Sequence, residues 1–397
     1  MNRPPLVVHV VYRFGIGGLE NGVVNLVNRL PRDRWRHAIV SLTDVDETFR
    51  ARLQRDDVEV VGLGKSPGHA IPLYPALYRR FRTTAPAIVH TRNLAALEAV
   101  IPAWAAGVRC RVHGEHGWDA LDPDGTHVRR QRIRRLYKRF VTRYVALSPD
   151  LARYLIEAIR VPPERVEQIV NGVDIERFRP GGSRRPIASC PFTDDKLRLV
   201  GTVGRLDAVK DQVNLAQAFV RAGASDPRVR ERLRLVVVGE GPLKADVEAV
   251  LERAGMRELA WLPGARHDVP AILRGLDVFV LPSRAEGVSN TLLEAMASGL
   301  PIVATNVGAN ADLLVAGECG TIVPPMNSEA LASAMLGYVL DPERARAHGD
   351  AARARAVARF SLERMIERYD RLYGQLVESQ THDGAMSALA QRQKQST

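Results

Sequence analysis

The sequence predicts two doubly wound α/β domains, each a parallel sheet with helices on both faces. Three observations carry this. Short β-branched apolar segments alternate with helix-length segments. The alternation breaks once, at a Gly-, Pro-, Ser- and Arg-rich stretch near residue 185, and then it resumes.

In the first half, LVVHVVY (6–12), HAIVSL (37–42), VEVVGL (58–63), AIVH (87–90), VRCRVHG (108–114) and RYVALS (143–148) have the length and composition of buried strands. They predict a first domain over residues 1–180. FRPGGSRRPIASCPF (178–192) reads as a linker, bounded at 181–195. LRLVGTVG (197–204), LRLVVVG (233–239), VFVLP (278–282) and PIVAT (301–305) predict a second domain over 196–358. A further helix is expected at 359–376. Residues 377–397 lack hydrophobic periodicity and are expected to be disordered.

Hydrophobic residues make up 46% of the 397 residues and charged ones 25%, enough to build large cores without a metal or disulfide staple. Cys110, Cys190 and Cys319 are odd in number and scattered, which argues for a reducing compartment and against a metal site. The apolar stretch Leu6 to Val11 is far short of the roughly 20 residues of a membrane span. A cytoplasmic location is expected, free or peripheral on the inner face of the cytoplasmic membrane. The net charge of +11 fits either a solvated surface or an anionic partner such as a nucleotide, a membrane or a nucleic acid.

Five segments could carry chemistry. The loop Arg13-Phe14-Gly15-Ile16-Gly17-Gly18 joins a strand to a helix, where glycines let a ligand approach and the helix start favours anions. Glu20 stands where a dinucleotide fingerprint needs its last glycine, so a tight βα turn fits equally well. His113-Gly114-Glu115-His116-Gly117-Trp118-Asp119 follows a strand, at the sheet edge where ligands bind in open α/β sheets; it reads as a site or as a polar loop. Residues 128–143, VRRQRIRRLYKRFVTR, hold eight basic residues and no acid. Ile133, Leu136, Tyr137, Phe140 and Tyr144 recur there at helical spacing, which suits an anionic membrane surface or a core-facing stripe with solvated arginines. Gly204 to Asp211 offers Arg205 and Lys210 to a diphosphate.

The most informative segment is Pro282 to Gly299, a strand end, a turn and a helix from about Ser289 to Ser298. Gly287 and the free amides at the helix start could cradle phosphates. Glu286 precedes the turn, where it could accept sugar hydroxyls. Glu294 is flanked by Leu292, Leu293, Ala295 and Met296, so it is expected to be buried and to need a partner, such as a ribose diol.

Glu286 and Glu294 frame a Glu–seven residues–Glu motif in EGVSNTLLEAMASGLPIVAT. It resembles the donor site of retaining glycosyltransferases of family 4, which have the two-domain GT-B fold. GGLE (17–20), EHG (115–117), IVNGVDIERF (169–178), VGRLDAVKD (203–211) and VVVGEGP (236–242) support the resemblance in the family's order, over about residues 5 to 375. It implies an N-terminal acceptor-binding domain and a C-terminal donor-binding domain facing a central cleft, with the helix at 359–376 returning to the first domain. It implies that Arg205 and Lys210 neutralise the donor diphosphate, Glu286 holds the transferred sugar and Glu294 binds the ribose. Backbone amides of Gly287, Val288, Ser289, Asn290 and Thr291 would add phosphate contacts, although the family often has glycine where Ser289 stands. His116 would lie near the anomeric centre, and Gly17 and Gly18 would close over phosphate or acceptor. The expected reaction moves a hexose from a nucleotide diphosphate sugar, by default a UDP-sugar, to a glycan or polyprenyl-linked acceptor. It would proceed with retention and without a metal or other cofactor, in exopolysaccharide biosynthesis. The alternatives are a nucleotide-sugar epimerase of the same fold, a dinucleotide-dependent oxidoreductase, weakened by Glu20, and a non-catalytic nucleic-acid-binding protein. The last is disfavoured because no aromatic-interleaved basic platform is present.

Overall fold

The computed structural model describes residues 3–118, 122, 125–181 and 186–395, with side chains to residue 379. Asp119 of the polar loop, residues 182–185 of the expected linker and the last two residues lie outside it. Contacts divide the chain into Met1–Asn171 with Glu363–Thr397, and Gly172–Leu362.

The first unit contains β1 (Leu6–Val11), β2 (Arg36–Ser41), β3 (Glu59–Gly62), β4 (Ile88–Arg92), β5 (Cys110–Glu115), β6 (Arg143–Ala146) and β7 (Val166–Gln168). They pair in parallel in the order β3-β2-β1-β4-β5-β6-β7. β1 is buried along its whole length because helices cover both faces of the sheet, which is why it reads as an unbroken apolar run. The second unit contains β8 (Arg198–Val203), β9 (Leu233–Val238), β10 (Ala260–Gly264), β11 (Val278–Leu281), β12 (Ile302–Thr305) and β13 (Thr321–Val323), also parallel, in the order β10-β9-β8-β11-β12-β13. Its core packs Phe219, Leu235 and Val278 against neighbouring helices. Strand order reverses between β1 and β4 in one sheet and between β8 and β11 in the other, and open α/β sheets bind ligands at such points.

The structure adds detail to the chain's organisation. The break between units falls at Asn171, ahead of the expected linker, and Ile187, Cys190 and Phe192 of that linker are buried, so its apolar residues anchor it within the second unit. The helix expected at 359–376 lies within Leu362–Gln395, and a separate helix, Pro342–Arg359, precedes it at the end of the second unit. Between them the amide of Val173 donates to the Phe360 carbonyl at 2.8 Å and the amide of Leu362 donates to the Val173 carbonyl at 2.9 Å, so this backbone pairs with a strand-like neighbour. The last helix also continues through the expected disordered tail to Gln395; Ala, Gln, Met and Lys there are strong helix formers and can extend a helix without an apolar stripe.

The basic segment 128–143 is not one helix either. Helix Val128–Tyr137 gives way to a short 3-10 turn, Lys138–Phe140, and then to β6. The expected stripe splits accordingly: Tyr137 and Tyr144 are buried, and Leu136 is exposed.

The start of the last helix packs on the first unit. Tyr373, fully buried, sets its hydroxyl 2.7 Å from Nδ1 of His90, and Trp35 Nε1 donates to Asp370 at 2.6 Å. His9 bridges His37 at 3.1 Å, and Arg92 reaches His9 at 3.1 Å and His90 at 3.4 Å. No carboxylate forms an ion pair with Arg92 among the described residues. Burial, then the Arg92 cation, holds His9 and His90 well below the ordinary histidine range; burial and then Arg55 bring His37 to about 3. Unfolded histidines bind protons below about pH 6.5 while these buried ones stay neutral. Stability is therefore expected to fall as pH drops below about 6.5, by about 1.4 kcal/mol per histidine per pH unit until the native groups titrate. Urea midpoints measured at pH 7.5 and 5.5 check this; equal midpoints would contradict burial of neutral imidazoles.

Candidate active site

The second unit brings the donor-site candidates to its switch point. Arg205 and Lys210 lie on the loop after β8, and Ser283 to Ser289 follow the adjacent β11. Lys210 Nζ donates to Glu286 Oε1 at 2.6 Å, and Ser283 Oγ donates to the same oxygen at 2.6 Å. The Glu286 side chain is 8% exposed, and its Oε2 has no protein hydrogen bond among the described residues. The expected sugar-holding acid and diphosphate cation are thus paired with each other. A lysine has three donors, so Lys210 can keep Glu286 and still reach an anion.

Arg205 is 82% exposed and pairs with Asp207 at 3.0 Å, a surface contact that leaves it free to swing to another anion. Ser289 caps helix Asn290–Ala297, its Oγ accepting from the Leu292 amide, with the Thr291 hydroxyl 3.1 Å away. First-turn amides of such a helix lack intrahelical acceptors, so Gly287 to Thr291 present a phosphate-favouring end. Glu294 is half-buried on this helix and its carboxylate accepts no hydrogen bond among the described residues. Burial pushes it up to about 7, with Arg177 opposing.

Sequence reasoning assigned no role to Arg284, which lies two residues before the motif. Its Nε and NH2 grip Asp211 at 2.8 and 3.0 Å, and its amide donates to the Val209 carbonyl at 2.7 Å. Asp211 adopts the left-handed conformation, φ 50°. Arg284–Asp211 and Lys210–Glu286 therefore staple the two loops twice over. Two glycines complete the frame. At Gly308, φ 51°, a Cβ would strike the Glu286 carbonyl, and at Gly239, φ 136°, it would strike the Gly204 carbonyl. The signal for Arg284 was its place between β11 and Glu286; its partner is distant in sequence, which a linear reading does not reveal.

In the first unit Gly17 and Gly18 follow β1 at the switch point, and His116 follows β5, two strands away. Gly17 caps helix Gly18–Arg29, and a side chain there would displace the Glu20 carboxylate, which folds back over it. Burial raises Glu20, with Arg92 opposing. His116 follows β5, and its amide donates to Asn93 Oδ1 at 2.7 Å. Its Nε2 is buried without a partner; burial first, then Arg92, keeps the ring neutral. Arg92 and Asn93, at the end of β4, were missed because the strand was read only to His90. The polar run Thr91-Arg92-Asn93 at a strand's carboxyl end was the available signal.

Glu115, fully buried, is gripped by Arg134 at 2.6 and 3.2 Å and faces His113 Nε2 at 3.4 Å. Burial would raise its pKa, but Arg134 and His113 outweigh that and bring it down to about 2. Arg134 of the basic segment is therefore an internal counterion.

Comparison with known proteins accords with this geometry. A model described as Glycosyltransferase Family 4 matches residues 16–177, and one described as Glycosyl transferases group 1 matches residues 198–341. The chain is 28% identical over 320 residues (77% of it and 80% of the relative) to an Escherichia coli UDP-Gal:alpha-D-GlcNAc-diphosphoundecaprenol alpha-1,3-galactosyltransferase. It is 41% identical over 218 residues (53% and 59%) to the lipopolysaccharide core biosynthesis mannosyltransferase LpcC of Rhizobium leguminosarum bv. viciae. Its fold resembles that of Anabaena Alr3699/HepE, crystallised with UDP and glucose, at a TM-score of 0.76 and 22% identity, covering 93% of this chain and 99% of the other. With two parallel-sheet units of the GT-B class and both sequence models in order, the chain belongs to the glycosyltransferases, a family 4 domain followed by a group 1 domain.

Proposed function

We propose that this glycosyltransferase moves a hexose from a UDP-sugar to a glycan or polyprenyl-linked acceptor, with retention of configuration, in exopolysaccharide biosynthesis. The observation that carries this is the Lys210–Glu286 pair at the β8/β11 switch point, a cation and an acid held where a diphosphate and a sugar would meet. The E. coli relative's UDP-galactose donor and diphosphoundecaprenol acceptor support the choice of substrates.

In this mechanism the bond from the anomeric carbon to the diphosphate oxygen breaks, and its electron pair stays on the diphosphate. Lys210, Arg205 and the helix start at Asn290 stabilise that charge in the role a metal would otherwise fill. Glu286 is already held through Oε1, so its Oε2 suits a sugar hydroxyl better than attack on the anomeric carbon. The acceptor oxygen then forms the new bond on the face the diphosphate leaves, and its proton passes to the departing phosphate. Glu294 accepts the ribose hydroxyls.

No helix among the described residues is long and apolar enough to cross a membrane. We place the acceptor at an anionic membrane surface, contacted by the exposed Val128, Arg129, Arg132 and Leu136 of the basic helix.

Incubation with labelled nucleotide sugars is expected to show transfer or slow hydrolysis with a UDP-sugar, undiminished by EDTA. Turnover that needs a restored divalent ion would overturn the metal-independent mechanism, and inertness toward every nucleotide sugar would overturn the donor assignment.

A ribose diol favours the ionised form of Glu294, so nucleotide affinity should rise as pH increases through about 7. Glu294→Gln should abolish that dependence and weaken binding by about 1.5–3 kcal/mol. Calorimetry on the folded variant checks both; unchanged affinity would remove Glu294 from the ribose site.

Vesicle sedimentation tests the membrane contact. Wild type is expected to pellet with phosphatidylglycerol vesicles and not with phosphatidylcholine. The interaction should weaken with salt, since charge is screened within about 10 Å at 0.1 M. Arg129→Glu/Arg132→Glu should stay in the supernatant; Arg134 is left intact because it neutralises Glu115. Equal pelleting of both proteins would return these arginines to a solvated face.

A further inference from the structure

At the amino ends of β6 and β7, the opposite edge of the first sheet from His116, lies a pocket of about 260 Å³. Five cations line it, Arg135, Lys138, Arg139, Arg160 and Arg165, and no carboxylate does. Three of them are anchored by neutral groups, Arg139 through Nε to the Leu136 carbonyl at 3.3 Å. Arg135 Nε and NH2 donate to the Ala158 carbonyl at 2.8 and 2.6 Å, and Lys138 Nζ donates to the Arg160 carbonyl at 2.9 Å. These carbonyls orient the side chains without cancelling their charge. Five like charges around so small a space repel one another unless an anion lies among them.

Tyr144 supplies a second, independent observation. It lines the same pocket, is 2% exposed, and its hydroxyl is buried with no hydrogen-bond partner. Arginine and lysine side chains carry donors and no acceptors, so no cation of the pocket can take the Tyr144 proton. An oxyanion can accept from the phenol and the guanidinium groups together, and phosphate offers the oxygens and charge to do so.

We propose that this pocket binds a phosphate oxyanion, either of a phospholipid headgroup or of a soluble phosphate compound. The site lies on residues that neither the transfer mechanism nor the Arg129/Arg132 surface uses, and it does not rest on the assignment of donor or acceptor.

The test titrates inorganic phosphate into the full-length protein by calorimetry at constant ionic strength. It compares wild type with Arg139→Glu/Arg165→Glu and with Tyr144→Phe. The last substitution removes one oxygen and preserves the ring, so its fold is secure even if the charge reversal perturbs the unit. Saturable binding is expected in wild type, weakened by about 10-fold or more by the charge reversal and several-fold by Tyr144→Phe. A vesicle arm identifies the source. Phosphatidylglycerol vesicles that release wild type on addition of phosphate, and retain less of Arg139→Glu/Arg165→Glu, mark a lipid headgroup. Phosphate binding with vesicle sedimentation equal across the variants marks a soluble phosphate. Equal phosphate affinity in wild type and both variants, or no saturable binding of phosphate or of phosphatidylglycerol vesicles, would overturn the proposal.

Discussion

A carboxylate that leaves water must find a cation, and at the carboxyl edge of the second sheet Glu286 finds Lys210. That pairing organises the surrounding chain. Lys210 closes the loop after β8, and Glu286 closes the loop after β11. Because those strands are neighbours at the switch point, a short side-chain bridge suffices. Ser283 takes a second position on the same carboxylate oxygen, so one oxygen is saturated and the other is left for a ligand. The Arg284–Asp211 grip fixes the flanking residues in the opposite sense, acid on the β8 loop and base on the β11 loop. The two crossed pairs resist sliding of one loop past the other, which a single pair would permit. Preorganised charge is most effective when it need not move at the moment of reaction.

The first unit solves a different problem. Arg92 is buried without an ion-paired carboxylate among the described residues, and its immediate partners are imidazoles. A cation in such a place suppresses protonation of every histidine around it. The rings remain acceptors, and one of their acceptors is used by Tyr373 of the last helix. The same guanidinium also acts on Glu20 and His116, the two groups nearest the glycine loop and the β5 end. Packing of the C-terminal helix and the electrostatics of the candidate acceptor side thus share one buried charge.

Which features were legible in the sequence follows from where their causes lie. The interior strands and the two motif glutamates were legible because their signals are local: a strand covered on both faces reads as an apolar run, and Glu294 is flanked on both sides by apolar residues. β7, β10 and β13 were not, since they lie at sheet edges, are partly exposed, and need no such run; AWLPG even carries Pro and Gly. The grip of Arg284 on Asp211 and that of Arg134 on Glu115 join residues far apart in sequence, and no pattern within either segment announces its partner. The linker signal and the contact boundary at Asn171 differ because Gly, Pro and Ser mark irregular backbone, whereas a boundary between units depends on contacts, and Ile187 and Phe192 lie buried in the second unit.

The arginine-rich segment shows why bulk charge is a poor guide to partners. Its basic residues look equivalent in a count that yields +11, yet they occupy three physical situations. Arg134 is internal, its charge cancelled by Glu115. Arg135 and Lys138 donate to the backbone carbonyls of Ala158 and Arg160, so they remain fully charged while being held in place. Arg129 and Arg132 stand in solvent. Only charges of the last two kinds can act on an anion, and only the held ones are already oriented to do so, having lost their side-chain entropy in folding rather than on binding. An anion that meets fixed cations and the unpaired Tyr144 hydroxyl is bound by geometry. One that meets the solvated arginines is bound by field alone, and that attraction fades with salt.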